Sequence, residues 1–244
     1  MQTTIDYLMN GTIVLEQPQE GYRVAIDPVF LAAAVPAQPT ETILDVGCGV
    51  GAAMLCLAQR VRGVRITGLE LQPEYARLAI RNILANHRQQ YLEVVTGDLL
   101  APVPRLAASS FHHVMTNPPY FERNKATPSS QHAKALATIE DRVPLKVWID
   151  FCLLMVRPKG TLTLIFPADR LEEVLPLFRP KSGEITIYPL WPGPHKPAKR
   201  LLIRVRKNSH AVTRLFPGLV LHSPEGHYTA EADKILRACG TIAF

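Results

Sequence analysis

Asn117-Pro118-Pro119-Tyr120 concentrates more potential chemistry than any other stretch of the chain. Two consecutive prolines hold its backbone rigid. The Asn117 side-chain oxygen and the Pro118 carbonyl offer two acceptors side by side, and an aromatic ring follows. An exocyclic amine on a flat ring is a poor nucleophile, because its lone pair is delocalised. Accepting its N–H groups at Asn117 and Pro118 favours a tetrahedral nitrogen, the geometry that develops as a methyl group is transferred to it. Tyr120 can stack on the flat acceptor and orient it. No general base is obligatory, since the proton can leave after transfer. The plain alternative is a Pro-Pro turn with an incidental tyrosine.

Three further clusters precede this one. Asp45-Val46-Gly47-Cys48-Gly49-Val50-Gly51 lets the backbone turn sharply and lets a ligand approach closely. The acid ahead of the glycines makes it a poor phosphate cradle and a better site for a cationic or hydroxyl-bearing ligand. The spacing lacks both the dinucleotide-binding continuation and the Lys-Ser/Thr of a P-loop. Glu70 follows 19 residues after Gly51. A carboxylate there can accept two hydrogen bonds from a ribose diol. Asp98 can accept from an adenine amino group, or simply serve as a turn residue.

Such residues need a scaffold that brings them to one edge, and the flanking sequence predicts one. Strands are expected at Thr42–Val46, Arg65–Leu69, Leu92–Thr96 and Phe111–Thr116, each ending at one of the four clusters. Helices are expected at Ala52–Arg60 and Pro73–His87, with a proline at the first turn of the second. Strands alternating with helices make an open α/β sheet with a ligand crevice at the strand ends. Upstream, residues 1–40 form a mixed lead-in, with a short strand at Thr12–Leu15 and a helix at Pro28–Val35. Downstream, residues 121–142 read as a long mobile loop. Val143–Val156 and Asp169–Phe178 read as helices, the second capped by Asp169, with a strand at Thr161–Phe166 between them. Glu184–Leu190 and Leu201–Val205 read as a final strand pair joined by a Pro-rich connection. A tail with a short helix near Thr229–Ala238 completes a single domain over 1–244.

The 244 residues carry 27 Lys+Arg against 21 Asp+Glu, and the excess is local. Residues 157–214 hold 12 basic and 4 acidic side chains, densest from His195 to Lys207. A stripe of that kind is the footprint of a polyanion binder, or a solubilising surface. The alternation in Leu201–Arg206 puts arginines on one face of a strand. No apolar run approaches a membrane span, and the first ten residues lack the basic start and apolar core of a secretory signal. The four cysteines show no CxxC or other metal-ligand spacing, so no metal is expected, and reduced thiols in a cytoplasm are the plain reading.

Together, DVGCGVG, Glu70, Gly97-Asp98 and NPPY resemble the class I S-adenosylmethionine-dependent methyltransferases, in the branch that methylates amines. The resemblance implies a Rossmann-like α/β fold with a seven-stranded sheet and helices on both faces. It implies Asp45, Gly47, Gly49 and Gly51 beside the methionine half of the cofactor, Glu70 with Leu71 on the ribose, and Asp98 with Leu99 on the adenine. Asn117, Pro118 and Tyr120 match the amine-binding motif, with Asn117 also bordering the cofactor. Within that branch the chain looks like the bacterial tRNA adenine-N6 methyltransferases acting on adenine 37 of a valine tRNA. Gly21–Leu31, the Phe121-Glu122 continuation of NPPY, Lys199-Arg200-Leu201-Leu202 and Tyr228-Thr229-Ala230-Glu231 carry that likeness. It implies tRNA as partner, with Pro119, Phe121, Arg123, Lys125, Lys199 and Arg200 toward the substrate. Asp27 reaches the cofactor's amino group by the same resemblance, or caps the helix it begins. Gln131-His132-Ala133 departs from the Ala-Arg-His of many relatives. A cytoplasmic enzyme is implied, and nothing in the sequence demands more than a monomer.

Other amine methylators share NPPY. Those acting on a release-factor glutamine usually carry a helical domain before the cofactor motif, and only 44 residues precede Asp45 here. Guanine-N2 enzymes of ribosomal RNA tend to duplicate the domain, and DNA adenine enzymes add a recognition domain. Cytosine-C5 chemistry needs a Cys nucleophile near the fourth strand end, and no Pro-Cys pair occurs. A small-molecule methylator has no use for the basic stripe. A non-catalytic RNA-binding relative would be expected to lose Glu70, Asp98 or Asn117.

Overall fold

The computed structural model describes residues 1–20, 23–101, 103–119, 143–179 and 182–244. Its centre is a sheet in the order β10 (Arg214–Leu215), β8 (Ser182–Trp191), β9 (Arg200–Lys207), β7 (Val156–Pro167), β6 (Phe111–Thr116), β3 (Thr42–Val46), β4 (Arg65–Glu70), β5 (Leu92–Thr96), with β11 (Leu219–Val220) also on β8. Its central strands are β3 (Thr42–Val46), β4 (Arg65–Glu70), β5 (Leu92–Thr96), β6 (Phe111–Thr116) and β7 (Val156–Pro167). These pair in parallel, and β9 (Arg200–Lys207) lies antiparallel between β7 and β8 (Ser182–Trp191). These seven strands are the core the family resemblance implies. The sheet exceeds it by β10 (Arg214–Leu215) and β11 (Leu219–Val220), two residues each, laid along the outer edge of β8.

The central strands β3 and β6 and the second half of β7 are buried along nearly their whole length, because both faces of the sheet are covered there. One face packs α1 (Asp27–Ala34), α2 (Ala52–Arg60), α3 (Pro73–Ala85) and α6 (Ala230–Ala238). The other packs α4 (Leu145–Met155) and α5 (Leu171–Phe178). Expected and observed boundaries agree to within about two residues for α1 to α4. The α5 region differs. Asp169 lies inside a 3-10 turn, Ala168–Arg170, and the helix starts at Leu171 with Arg170 as its cap residue and no side-chain cap bond. The buried Arg170 instead pairs with Glu173 at 2.7 Å, which anchors the first turn. The tail helix α6 is capped by Thr229, whose hydroxyl accepts from the Ala232 N–H.

The lead-in is more ordered than a single short strand and a helix. β1 (Thr3–Leu8) and β2 (Ile13–Pro18) form an antiparallel hairpin with Leu8 opposite Ile13. Its turn places Met9, Asn10 and Gly11 in left-handed backbone, and the Asn10-Gly11 pair is the local signal for it. The hairpin docks on α3 through two asparagines. Asn86 Oδ1 accepts the Val14 N–H at 2.9 Å, and its Nδ2 donates to the Val14 carbonyl at 2.7 Å. Asn82 Oδ1 accepts the Glu16 N–H at 2.7 Å, and its Nδ2 donates to the Glu16 carbonyl at 2.8 Å. Four residues of helix and two of strand both advance about 6 Å, so an i, i+4 pair on α3 meets every second residue of β2. Among the described residues no helix is long and apolar enough to cross a membrane.

Candidate active site at the strand ends

Parallel pairing brings the four clusters into a row. Val46 lies opposite Leu69 and Thr116, and Glu70 opposite Thr96. The loops leaving these positions are then tied together. The Gly47 and Cys48 N–H groups donate to the Leu69 carbonyl at 2.8 and 3.1 Å, and the Gly97 N–H to the Glu70 carbonyl at 2.9 Å. Thr116 Oγ1 donates to the Val46 carbonyl at 2.8 Å and accepts from Trp148 Nε1 at 2.9 Å. The Trp148 ring fills the space under Gly47, where an added Cβ would sit 3.0 Å from two ring carbons. Gly47 is therefore required twice, by that contact and by its φ of +73°. Gly49, also left-handed, faces open space with nothing within 4 Å of an added Cβ. A ligand can approach the backbone there. The Asn82 Nδ2 reaches the same loop and donates to the Val50 carbonyl at 2.9 Å.

Glu70 is buried, and its two carboxylate oxygens accept the Gly49 N–H at 3.0 Å and the Gln72 N–H at 2.8 Å. Burial pushes its carboxyl up, while the N–H groups of Gln72, Gly49 and Leu71 hold it down. Each oxygen keeps acceptor capacity for a diol. Asp45 is only 2% exposed, and its Oδ2 has no hydrogen-bond partner among the described residues. Burial and then the neighbouring Glu70 charge push it up to about 8. Two carboxyls share this pocket, and the one held by N–H donors keeps the charge while Asp45 keeps the proton. The Cys48 thiol is pushed far up by burial, then by Asp45 and Glu70, so it is no nucleophile. Asp98 is half-buried and its Oδ1 accepts the Leu100 N–H at 3.0 Å, which fixes the turn after β5. Leu71 and Leu99 are half-buried on the same loops.

Asn117 and Pro119 are half-buried and Pro118 is buried, directly after β6 and beside Gly47. Tyr120, Phe121, Arg123 and Lys125, the 121–142 loop and its Gln131-His132-Ala133 lie outside the described residues. Asp27 and Arg200, expected on cofactor and substrate respectively, meet each other: Arg200 Nε donates to Asp27 Oδ2 at 2.9 Å. That pair ties the start of β9 to the first turn of α1, whose N-cap is Ile26 with no side-chain cap bond. Lys199 is exposed at the same edge. Sequence reasoning missed Thr116, Trp148 and Asn82 as supports of the loop. Only the i, i+4 asparagines carried a local signal.

An open sheet with one antiparallel strand beside its edge, Gly-rich first loop and acids on the next two strand ends define a Rossmann-like methyltransferase. Residues 24–138 match the family model for the methyltransferase small domain. A solved structure described as a predicted O-methyltransferase of Agrobacterium tumefaciens superposes with a TM-score of 0.74 at 24% identity, covering 89% of this chain and 99% of that one. A geranyl diphosphate C-methyltransferase of Streptomyces coelicolor gives 0.53 at 14% identity over 74% and 78% of the two chains. A tRNA1(Val) (adenine(37)-N6)-methyltransferase of Porphyromonas gingivalis is 30% identical over 241 residues, 94% of this chain and 93% of its own. One from Shewanella halifaxensis is 33% identical over 149 residues, 61% and 59% of the two chains. The chain belongs to the tRNA1(Val) (adenine(37)-N6)-methyltransferase family.

Proposed function

We propose that this protein methylates the N6 amino group of an adenine in tRNA, at the anticodon-loop position 37 named in its relatives, with S-adenosylmethionine as methyl donor. The observation that carries the reading is the juxtaposition of Asn117-Pro118 with the Gly47–Gly51 loop at adjacent strand ends. The cofactor fits the residues present. Gly49 opens onto free space, and the buried Asp45 Oδ2 has no partner among the described residues, so an amine that displaces its proton can pair with it. Asp45 takes the cationic amine, Glu70 the ribose diol, and Asp98 with Leu99 the adenine. When bound, the cofactor supplies a methyl group activated by a sulfonium.

Asn117 and the Pro118 carbonyl accept the two N–H groups of the target adenine and draw its nitrogen toward tetrahedral geometry. Tyr120 stacks on the flipped base. Extrusion is cheap in an anticodon loop, whose bases are already partly unstacked. The proton leaves the nitrogen for solvent water after transfer, so no buried base is needed. Cytoplasmic residence and action as a monomer accompany this reading. The test is label transfer to an unmodified valine tRNA transcript and to the same transcript with guanine at position 37. The adenine transcript accepts the methyl group and the guanine transcript does not; equal labelling of both overturns the assignment.

A further inference from the structure

The basic stripe of the sequence is divided by the fold. β9 runs antiparallel to its neighbours, so its later residues lie at the far end of the sheet from Asn117. There the charges are taken up internally. Arg206 donates to Glu184 at 2.7 Å and to the Lys159 carbonyl at 2.9 Å. Lys207 donates to the Val156 carbonyl at 2.6 Å, and the Arg204 guanidinium sits 4.4 Å over the Phe244 ring. At the site edge, Arg200 holds Asp27, whereas Lys196 and Lys199 stand exposed.

Lys196 belongs to a recess of about 430 Å3 at the β8–β9 turn, lined by Trp191, Gly193, His195, Lys196, Pro197 and Val220. The recess is built rather than incidental. Trp191 Nε1 donates to the Pro217 carbonyl at 2.9 Å, which fixes the ring by its edge. Gly218 has to be glycine there, since a Cβ would fall 2.2 Å from the Pro189 carbonyl oxygen and 2.8 Å from Trp191 Nε1. The Lys196 stem lies over Gly193, 3.5 Å from where its Cβ would be. His222 meets the Pro192 carbonyl through Nδ1 at 2.9 Å and stacks on Tyr228 at 4.6 Å, bracing the turn from behind. A fixed indole with an ammonium beside it is a stacking platform with a phosphate contact.

We infer that this recess holds a nucleotide of the substrate RNA flanking the target, its base on Trp191 and its phosphate on Lys196. The end of β8 is three strands from the end of β6, about 14 Å across the sheet. That separation excludes the target base itself and suits a neighbour of it. Charge complementarity selects the occupant, because the one formal charge in the lining is the exposed Lys196 ammonium. The inference rests on the tRNA reading above.

The chain has two tryptophans, and Trp148 is 8% exposed, so quenching by acrylamide reports Trp191. Unmodified valine tRNA titrated into the full chain with S-adenosylhomocysteine present should protect that emission. Lys196→Glu should weaken tRNA binding about tenfold at low salt and reduce the slope of log Kd against log salt by about one. Its affinity for S-adenosylhomocysteine should not change. Trp191→Phe, which keeps a stacking face, should lose the signal while holding tRNA within about threefold. Unprotected emission together with an unchanged Kd and slope in Lys196→Glu overturns the inference and leaves the tRNA reading standing. A wild-type protein that binds S-adenosylhomocysteine but no tRNA overturns both. Unchanged tRNA affinity with altered self-association by light scattering gives the recess to a second copy of the chain and overturns it as well.

Discussion

Lowering the pH from 8 to 6 should weaken S-adenosylhomocysteine binding about 50-fold, because a proton on Asp45 competes with the ligand's amine. Asp45 is buried, its Oδ2 is unpartnered among the described residues, and its carboxyl is pushed up to about 8. The ionised fraction then falls from about a half at pH 8 to about a hundredth at pH 6, and affinity follows that fraction. At pH 7 about 0.9 proton should leave per ligand bound. Calorimetry in two buffers of different ionisation enthalpy measures it directly. The stability of the ligand-free protein carries the same signature. Asp45 binds its proton more tightly folded than unfolded, so its contribution is fully present below its ordinary value of 3.8 and is lost as pH rises toward 8. The slope should reach about 1.4 kcal/mol per pH unit in that window. Asp45→Asn should flatten both dependences. Binding that is pH-independent and releases no proton would refute a buried, protonated Asp45 as the amine's partner.

Asn82→Leu should cost about 3 kcal/mol in chemical denaturation, one for each hydrogen bond it makes to Glu16 and Val50, and should weaken S-adenosylhomocysteine binding by slackening the loop. A loss under 1 kcal/mol would contradict that docking. Gly49→Ala meets no protein atom, so stability should fall only by the ~1 kcal/mol of left-handed backbone while ligand binding is lost. Undiminished binding would remove Gly49 from the cofactor cradle. Asn117→Ala should lower kcat at least 100-fold with Kd for S-adenosylhomocysteine within about threefold, since its acceptor acts on the reacting nitrogen. Equal losses in both would count against that role.

The strand ends were legible because short strand-like segments alternate with helical ones, and each stops at its own polar cluster. Val46, Glu70, Thr96 and Thr116 could be placed without tertiary knowledge for that reason. What escaped depends on distant partners. Asp27 and Arg200 are 173 residues apart, and neither sequence context announces the other. Arg206 reads as free charge until Glu184 appears on the adjacent strand. β10 and β11 are two residues long and exist only as pairings with β8. Asp169 has the right residue type for a cap, but the chain leaves β7 through a 3-10 turn that moves the helix start past it. The β1–β2 hairpin is a different case, since Asn10-Gly11 was visible and its flanks were mixed enough to hide it.

Nucleoside mass spectrometry identifies the methylated atom and the molecule that carries it together. Unmodified total tRNA, ribosomal RNA and a cell-protein fraction would each be incubated with the protein and isotopically labelled S-adenosylmethionine, then digested. Label should appear in N6-methyladenosine from tRNA alone. Label in N2-methylguanosine of ribosomal RNA or in glutamine of protein, with none in tRNA adenosine, would contradict it.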